Sequence, residues 1–213
     1  MKNLLFDLDG TLTDSRPGIV ACFQHAFSVL GYPVPSETAI KESIGAPLQR
    51  AFQDLLPDDA NDNTIDSAVA LYRERFGNVG LFENRVYDGI PAALETIASS
   101  GAQRFVATSK PRVFAERILD HFNLSAYFQC IYGSELDGRF SDKSELIAHV
   151  LSDSHLLPTE TVMIGDRNHD VLGALKNNVY PVGVLWGYGS REELKTAGAK
   201  KLFRKSKELA GLV

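Results

Sequence analysis

Two carboxylates lie at the end of a short apolar run near the beginning of the sequence. Residues 4–6 are apolar, Asp7 follows them, and Asp9 stands two residues further on, directly before Gly10. An unbroken apolar run is typical of a strand that is buried on both faces of a parallel sheet. Because a buried unpaired carboxylate is costly, the pair predicts a compensating hard divalent cation with oxygen ligands. The alternative for this segment is an Asp-Gly turn with solvated side chains.

Further polar residues follow other predicted strands or flank the helices after them. They are Thr108, Ser109, Lys143, Asp166 and Asp170, with Lys143 expected in the loop before a helix. Open parallel sheets place their ligand sites beyond the carboxyl ends of the strands, so we expect these groups to converge with Asp7 and Asp9. No cluster of histidine and cysteine has the spacing of a zinc site, which favours oxygen ligands and Mg²⁺.

The elements that would position these groups alternate between strand and helix. After the strand that precedes Asp7, further strands are predicted at 104–107, 130–132, 161–164 and 181–185. Helices are predicted at 91–99, 113–122, 144–151 and 170–176. Four βα repeats after an initial strand predict an α/β fold with a doubly wound parallel sheet and right-handed crossovers.

Residues 15–82 interrupt this alternation. Apolar residues at helical spacing predict four helices here, with breaks near Gly31, Ser43, Pro57 and Gly77. Because the first strand belongs to the parallel sheet, this stretch is an insertion. We therefore expect a core domain formed by residues 1–14 and 83–213 and an all-helical domain formed by residues 15–82.

The composition limits the partners that the chain can have. Of its 213 residues, 44% are hydrophobic and 23% are charged, and a formal net charge of −5 argues against nucleic acid or an anionic membrane. The apolar run before Asp7 is too short for a signal peptide, and no run approaches the roughly 18 residues of a membrane span, so we expect a cytoplasmic protein. Cys22 and Cys130 have apolar neighbours and are expected to be buried, reduced thiols.

The polar segments resemble, in order and position, the four motifs of the haloacid dehalogenase (HAD) superfamily. These segments are Asp7-Leu8-Asp9-Gly10-Thr11, Thr108-Ser109, Lys143 and Gly165-Asp166-Arg167-Asn168-His169-Asp170. The match runs through nearly the whole chain, and the insertion resembles the small α-helical cap of that superfamily. Among its branches, the chain is most similar to the phosphoglycolate phosphatase-like proteins. The resemblance implies a Rossmann-like HAD core with an inserted helical cap.

The resemblance also implies a role for each matching residue. Asp7 would be the nucleophile that forms an aspartyl-phosphate, and Asp9 would protonate the leaving oxygen and later deprotonate the attacking water. Lys143 would balance the negative charge of Asp7 and the phosphoryl group, and an ordinary surface lysine is the alternative. Thr108 and the amide of Ser109 would bind phosphate oxygens, and a plain helix cap is the alternative there.

The same resemblance implies Mg²⁺ as the cofactor. Asp7, Asp166 and the backbone carbonyl of Asp9 would be its ligands. Asp170 would orient the site through Lys143 or ligate the ion through water. The alternative is a helix-start carboxylate without another role.

The helical insertion is expected to select the substrate. Gly45 and Ala46 lie in a loop that resembles the specificity loop of the family, and Arg50 is a candidate for binding a substrate carboxylate. A helix break without substrate contact and a solvated helix face are the alternatives.

The implied function is Mg²⁺-dependent hydrolysis of a small phosphorylated metabolite, with 2-phosphoglycolate as the first candidate, by a monomer or a homodimer. Asp9 favours phosphate-ester hydrolysis, because related dehalogenases and phosphonate-cleaving enzymes lack this second aspartate. The alternatives with the same nucleophile are a nucleotide or sugar-phosphate phosphatase and a β-phosphoglucomutase-like phosphomutase. A catalytically silent binding protein on the same fold is the alternative from another class.

Overall fold

The computed structural model describes residues 2–44 and 46–213. In chain order, the strands are β1 (Asn3–Phe6), β2 (Thr13–Asp14), β3 (Arg85–Val86), β4 (Gln103–Pro111), β5 (Cys130–Ser134), β6 (Thr161–Gly165), β7 (Tyr180–Val184) and β8 (Lys201–Phe203). The described residues place six of these strands in one parallel sheet with the order β5-β4-β1-β6-β7-β8, and they place β2 and β3 in a two-stranded sheet.

Helices connect and flank the strands. In chain order, the α-helices of the described residues are α1 (Arg16–Leu30), α2 (Glu37–Ser43), α3 (Leu48–Leu55), α4 (Asp62–Arg75), α5 (Ile90–Ser99), α6 (Arg112–His121), α7 (Lys143–Asp153), α8 (Asn168–Lys176) and α9 (Arg191–Ala197). A π-helical turn, Phe76–Gly80, follows α4, and short 3₁₀ segments lie at Ser125–Tyr127, Pro158–Glu160 and Ser206–Leu212.

Strand β1 lies in the middle of the large sheet, between β4 and β6. Leu4, Leu5 and Phe6 are fully buried, which agrees with the continuous apolar run. After β1, the chain adds β4 and then β5 on one side of β1. It then crosses to the other side of β1 and adds β6, β7 and β8 there. The strand order therefore reverses next to β1, and such a reversal is where open α/β sheets bind their ligands. The predicted fold class is confirmed.

The sequence predicted five strands in the sheet, and the described residues contain a sixth, β8. This strand has three residues, and it pairs with β7 at the edge of the sheet. Helix α9, which precedes it, has seven residues and was also not predicted. Both elements are too short to give a clear apolar period, so their position depends on the sheet that they join.

The pairing register of β1, β4 and β6 aligns core residues of the three strands side by side. Leu5 pairs with Phe105 of β4 and with Met163 of β6. These three side chains share one buried cluster with Leu146 and Ile147 of α7. This packing fixes α7 against the sheet, and α7 carries Lys143 as its first residue.

The chain divides into two compact units, one formed by residues 1–14 and 86–213 and the other by residues 15–85. The second unit contains α1 to α4 and has an aromatic core. The ring centroids of Phe23 and Phe52 lie 4.7 Å apart, and those of Phe23 and Tyr72 lie 5.1 Å apart. Arg75 binds both carboxylate oxygens of Glu83, at 2.7 and 3.0 Å, near the end of this unit.

The two cysteines differ from the sequence-based expectation in one respect. Both lie outside any disulfide and Cys22 is buried, but Cys130 is exposed. Cys130 is the first residue of β5, which is an edge strand, so its apolar neighbours in sequence do not cover it. No helix among the described residues is long and apolar enough to cross a membrane.

Candidate active site

Three neighbouring strands bring the predicted polar residues to one edge of the sheet. Asp7 follows β1, Thr108 lies in β4, and Asp166 follows β6. The amide of Asp7 donates a hydrogen bond to the carbonyl oxygen of Ile164, at 2.9 Å, which continues the pairing of β1 with β6 to this point. Asp7 is 8% exposed, so the alternative of a solvated turn is wrong for this residue.

Lys143 connects two of the carboxylates. Its Nζ lies 2.8 Å from Oδ1 of Asp7 and 2.8 Å from Oδ1 of Asp170, and it donates a hydrogen bond to the carbonyl oxygen of Ala107 at 3.0 Å. Burial lowers the pKa of Lys143, but the charges of Asp170 and Asp7 outweigh this effect and raise the pKa above its ordinary value. Lys143 is therefore a buried ammonium group, and the surface-lysine alternative is wrong.

The structure corrects the local position of Lys143. It is the first residue of α7 and does not lie in a loop before the helix. Asp142 caps this helix, because its Oδ1 accepts hydrogen bonds from the amides of Ser144 and Glu145.

Asp7, Asp166 and Asp170 form a buried carboxylate cluster. One oxygen of each lies within 4.8 Å of the corresponding oxygens of the other two. Burial, followed by the charge of Asp170, raises the pKa of Asp166 well above its ordinary value. Burial also raises the pKa of Asp7 to about 6, although Lys143 opposes this shift. Like charges at this distance repel one another in a buried site, so the cluster favours a bound cation.

Asp166 supplies further evidence for a cation. Its Oδ2 accepts a hydrogen bond from the amide of Tyr188 at 2.7 Å, whereas its buried Oδ1 has no hydrogen-bond partner among the described residues. A buried carboxylate oxygen without a donor is an unfavourable arrangement in a folded protein unless another group binds it. Carboxylate oxygens suit hard divalent cations, and Asp7, Asp166 and Asp170 could together hold such an ion.

Gly10 allows Asp166 to approach the turn after β1. Its φ is +84°, and a Cβ at this position would lie 2.3 Å from Oδ2 of Asp166. The Asp-Gly turn is therefore present, and its function is to make room for a carboxylate of the neighbouring strand. This explains why a glycine follows Asp9 at this point of the chain.

Asp170 contacts both the start of α8 and Lys143, so it is more than a helix-start carboxylate. Its Oδ2 accepts a hydrogen bond from the amide of Arg167 at 3.1 Å, as a carboxylate in the first turn of α8 can. Its Oδ1 lies next to Lys143, so the same side chain caps the helix and contacts the site.

Asp9 contacts a lysine that the sequence analysis did not select. Nζ of Lys110 lies 2.8 Å from Oδ1 and 2.7 Å from Oδ2 of Asp9. Lys110 directly follows Thr108 and Ser109, so its proximity to the second motif was the only signal in the sequence. Asp9 is not one of the three carboxylates whose oxygens lie within 4.8 Å of one another, but its charge contributes to the raised pKa of Asp7.

The remaining predicted residues occupy different environments. Thr108 is 2% exposed, and its Oγ1 accepts a hydrogen bond from the amide of Lys110 at 3.2 Å. In the helical unit, Ala46 is exposed, and Arg50 forms an ion pair with Asp54 at 2.9 Å on the surface of α3. Gly45, which was predicted with them, lies outside the described residues.

The loop after β7, which contains Trp186 and Tyr188, supports the turn after β1 and Asp166 through hydrogen bonds. The Nε1 of Trp186 donates a hydrogen bond to the carbonyl oxygen of Thr11 at 3.0 Å. The hydroxyl of Tyr188 bonds Oδ1 of Asp14 at 3.3 Å, and its amide binds Asp166. The Tyr188 amide is a backbone group, so the sequence could not identify it as a partner of Asp166.

The sequence model of the family described as haloacid dehalogenase-like hydrolase matches residues 4–184 of the chain. The chain belongs to this family. The resemblance inferred from the motifs is thereby confirmed. The match covers the site residues at the ends of β1, β4 and β6 as well as the helical insertion.

The hydrolase is similar to named proteins along most of its length. It is 48% identical over 193 residues to a 5'-nucleotidase from Pseudomonas aeruginosa, which covers 91% of this chain and 86% of the relative. A crystal structure described as a predicted phosphatase from Clostridium acetobutylicum superposes with a TM-score of 0.92 at 41% identity and covers 99% of this chain and 97% of that chain. The family and these names support phosphatase activity.

A third relative carries a different name. The hydrolase is 38% identical over 186 residues to the Mycobacterium tuberculosis protein named tyrosine-protein kinase PtkA. The match covers 87% of this chain but 62% of PtkA, so the hydrolase spans less than two thirds of that relative.

Proposed function

We propose that this hydrolase is a Mg²⁺-dependent phosphomonoesterase in which Asp7 is the nucleophile. The observation that carries the proposal is the position of Asp7. Its buried carboxylate lies 2.8 Å from Nζ of Lys143 and next to Asp166 and Asp170, at the reversal in strand order. A nucleophilic carboxylate needs a cation that limits repulsion from the phosphoryl group, and this arrangement offers an ammonium group and a place for a metal ion.

The first step transfers the phosphoryl group to Asp7. Lys143 binds Oδ1 of Asp7, so Oδ2 is the oxygen proposed to attack phosphorus. A bond forms between this oxygen and phosphorus while the bond from phosphorus to the leaving oxygen breaks. Asp9, in its protonated form, gives its proton to the leaving oxygen, and the products are an alcohol and an aspartyl-phosphate.

The second step restores the enzyme. A water molecule attacks phosphorus, and the Asp9 carboxylate takes the proton that the water loses. The bond between Asp7 and phosphorus breaks, and inorganic phosphate leaves. Asp7 is again a carboxylate and Asp9 is again protonated, so protons and charges balance over the cycle.

The charge of the site supports a divalent cation as a further component. The described strand ends bring together four carboxylates and two ammonium groups, namely Asp7, Asp9, Asp166, Asp170, Lys110 and Lys143. Two negative charges therefore remain uncompensated when all six groups are ionised. Asp7, Asp166 and the Asp9 carbonyl are the proposed Mg²⁺ ligands, with Asp170 in support. Bound Mg²⁺ would neutralise charge on the phosphoryl oxygens.

The remaining residue roles are proposals that rest on the family resemblance. Thr108 and the Ser109 amide are proposed to bind phosphate oxygens. Gly45, Ala46 and Arg50 are proposed to select the leaving group. A cytoplasmic location and a small phosphorylated metabolite as the partner agree with the net charge of −5.

The similarity to a 5'-nucleotidase favours a nucleoside 5'-monophosphate as the substrate. We therefore expect phosphate release from 5'-nucleotides to exceed release from 2-phosphoglycolate, which was the first candidate from the sequence. The assay measures inorganic phosphate from both compounds and from 4-nitrophenyl phosphate, with Mg²⁺ and with EDTA. Release from 2-phosphoglycolate alone would reverse the substrate preference. Transfer of label within a sugar phosphate without phosphate release would favour a phosphomutase, and no reaction would favour a silent binding protein.

Binding of Mg²⁺ is expected to raise the melting temperature of the protein by about 5–10 °C when the free Mg²⁺ concentration is about 100 times the dissociation constant of the site. Asp166→Asn should remove this increase. It should also make the metal-free protein more stable, because the raised pKa of Asp166 means that ionisation of this carboxylate opposes folding, and asparagine does not ionise. Calorimetry with and without Mg²⁺ measures both effects. Asp58→Asn, at an exposed position, is the matched control and should behave like the wild type. An unchanged Mg²⁺ response in Asp166→Asn would contradict the proposed metal site.

A further inference from the structure

A second lysine faces the carboxylate that is proposed to transfer protons. Nζ of Lys110 is within 2.8 Å of both Asp9 oxygens, and the Lys110 side chain is 6% exposed. The Asp9 side chain is 18% exposed. The contact is therefore shielded from water on the lysine side, unlike the ion pairs on the surface of this protein.

A β-bulge brings Lys110 to this position. Thr108 of β4 pairs with Gly133 of β5, and the next pair is Pro111 with Ser134. Strand β4 thus advances three residues while β5 advances one. Extra residues in one strand change the direction in which its side chains point, and bulges are frequent beside active sites.

The bulge has its own supporting contacts. The hydroxyl of Ser134 donates a hydrogen bond to the carbonyl oxygen of Ser109 at 2.8 Å, and the amide of Lys110 donates one to Oγ1 of Thr108 at 3.2 Å. A Cβ on Gly133 would lie 2.6 Å from the carbonyl oxygen of Lys110. Side chains and a glycine on two strands therefore hold the backbone of Lys110 in place.

We propose that Lys110 is a positioning residue that fixes the Asp9 carboxylate for proton transfer, and this inference rests on the proposed function. A carboxylate that contacts one ammonium group through both oxygens loses most of its rotational freedom. Proton transfer requires donor and acceptor within hydrogen-bond distance, and small misplacements of reacting groups cost large factors in rate. Lys143 positions Asp7, and Lys110 does the same for Asp9.

A structural ion pair would give a different result. Such a pair would stabilise the fold, and its loss would reduce the reaction of every substrate alike. A lysine that positions a proton donor acts on substrates according to their leaving groups. Alkyl phosphates need a proton on the leaving oxygen, whereas 4-nitrophenolate leaves without one.

The test compares kcat/KM of Lys110→Met for 4-nitrophenyl phosphate and for the faster alkyl phosphate of the assay above. This constant reports the steps up to departure of the leaving group. We expect a decrease of about 30-fold or more for the alkyl phosphate and less than about 3-fold for the aryl phosphate. In the Asp9→Asn background, Lys110→Met should lower the alkyl rate by less than about 3-fold further, because coupled residues are not additive. Lys110→Arg should restore part of the activity, and Lys176→Met, at an exposed position of α8, is the matched control.

The outcomes separate this inference from the proposed function. If Asp7→Asn is inactive and Lys110→Met slows both substrates equally, Lys110 is a structural residue and only the inference is overturned. The same conclusion follows if the effects of Lys110→Met and Asp9→Asn multiply. If Asp7→Asn keeps full phosphate release, the proposed function is wrong and the inference falls with it.

Discussion

Replacement of Asp7 by asparagine is expected to abolish phosphate release and, in the absence of metal, to stabilise the folded protein at neutral pH. The loss of activity should be at least about 10³-fold, because the amide of asparagine is a poor nucleophile and cannot form the proposed aspartyl-phosphate. The gain in stability follows from the raised pKa of Asp7, which burial brings to about 6. Ionisation of this side chain at neutral pH opposes folding, and asparagine does not ionise.

The sign and the pH range of the stability effect follow from linkage. The carboxyl group ionises near pH 3.8 in the unfolded chain and near pH 6 in the folded protein, so the folded state binds more protons between these values. The contribution of Asp7 to the free energy of unfolding therefore falls as the pH rises from about 4 to about 6. Asp7→Asn should be more stable by up to about 3 kcal/mol above pH 7, and the difference should vanish below pH 4.

Urea unfolding of the metal-free proteins at pH 4, 6 and 8 measures this difference. Asp58→Asn is the control, because its carboxylate is exposed. A stability difference that is the same at all three pH values would mean that the Asp7 carboxylate does not titrate as described. Substantial activity of Asp7→Asn would show that another group is the nucleophile.

Replacement of Lys143 by methionine should have the opposite effect on stability and the same effect on activity. The change leaves Asp7 and Asp170 without their shared cation in a buried site. Removal of one partner of a buried ion pair typically costs about 3–5 kcal/mol, and we expect a loss in this range together with at least a 100-fold decrease in phosphate release. Lys143→Arg should not restore activity, because the larger guanidinium group does not fit the closely packed site. Helix α8 packs tightly on this side chain, since a Cβ placed on Gly173 would lie 3.0 Å from Cγ of Lys143.

A double variant keeps this prediction testable if Lys143→Met does not fold. In the Lys143→Met background, Asp170→Asn removes one of the uncompensated charges and should recover part of the stability without recovering activity. Lys176→Met, at an exposed position of α8, is the control for the loss of a lysine. A normal free energy of unfolding for Lys143→Met would contradict the role of Lys143 as the shared cation of this cluster.

The parts of the site that could be predicted from the sequence are those that depend on strand ends. Asp7 and Asp166 follow apolar runs that could hardly be anything other than buried strands, and parallel strands bring their carboxyl ends to one edge. The fold class followed from the same alternation. The resemblance associated Lys143 with Asp7, and the two side chains lie 2.8 Å apart, although the place of Lys143 at the start of α7 was not predicted.

What could not be predicted depends on irregular structure and on strand order. Lys110 reaches Asp9 because β4 has a bulge, and no local pattern in the sequence announces the register shift after Thr108. Cys130 is exposed because β5 lies at the edge of the sheet, and strand order is not visible in apolar periodicity. Strand β8 is short and takes its conformation from its neighbour.

The central position of β1 has a consequence for how the chain reaches its folded state during synthesis. Asn3 pairs with Gln103 on one side and with Thr161 on the other, so β1 leaves the ribosome long before either partner strand exists. Residues 4–6 are fully buried in the finished protein, but they remain without β4 until residue 103 is made and without β6 until residue 161 is made. Sheets with such distant pairings form slowly, and unpaired apolar strands are prone to aggregate. Chaperone binding to the nascent chain would therefore be most useful at the segment that later carries Asp7.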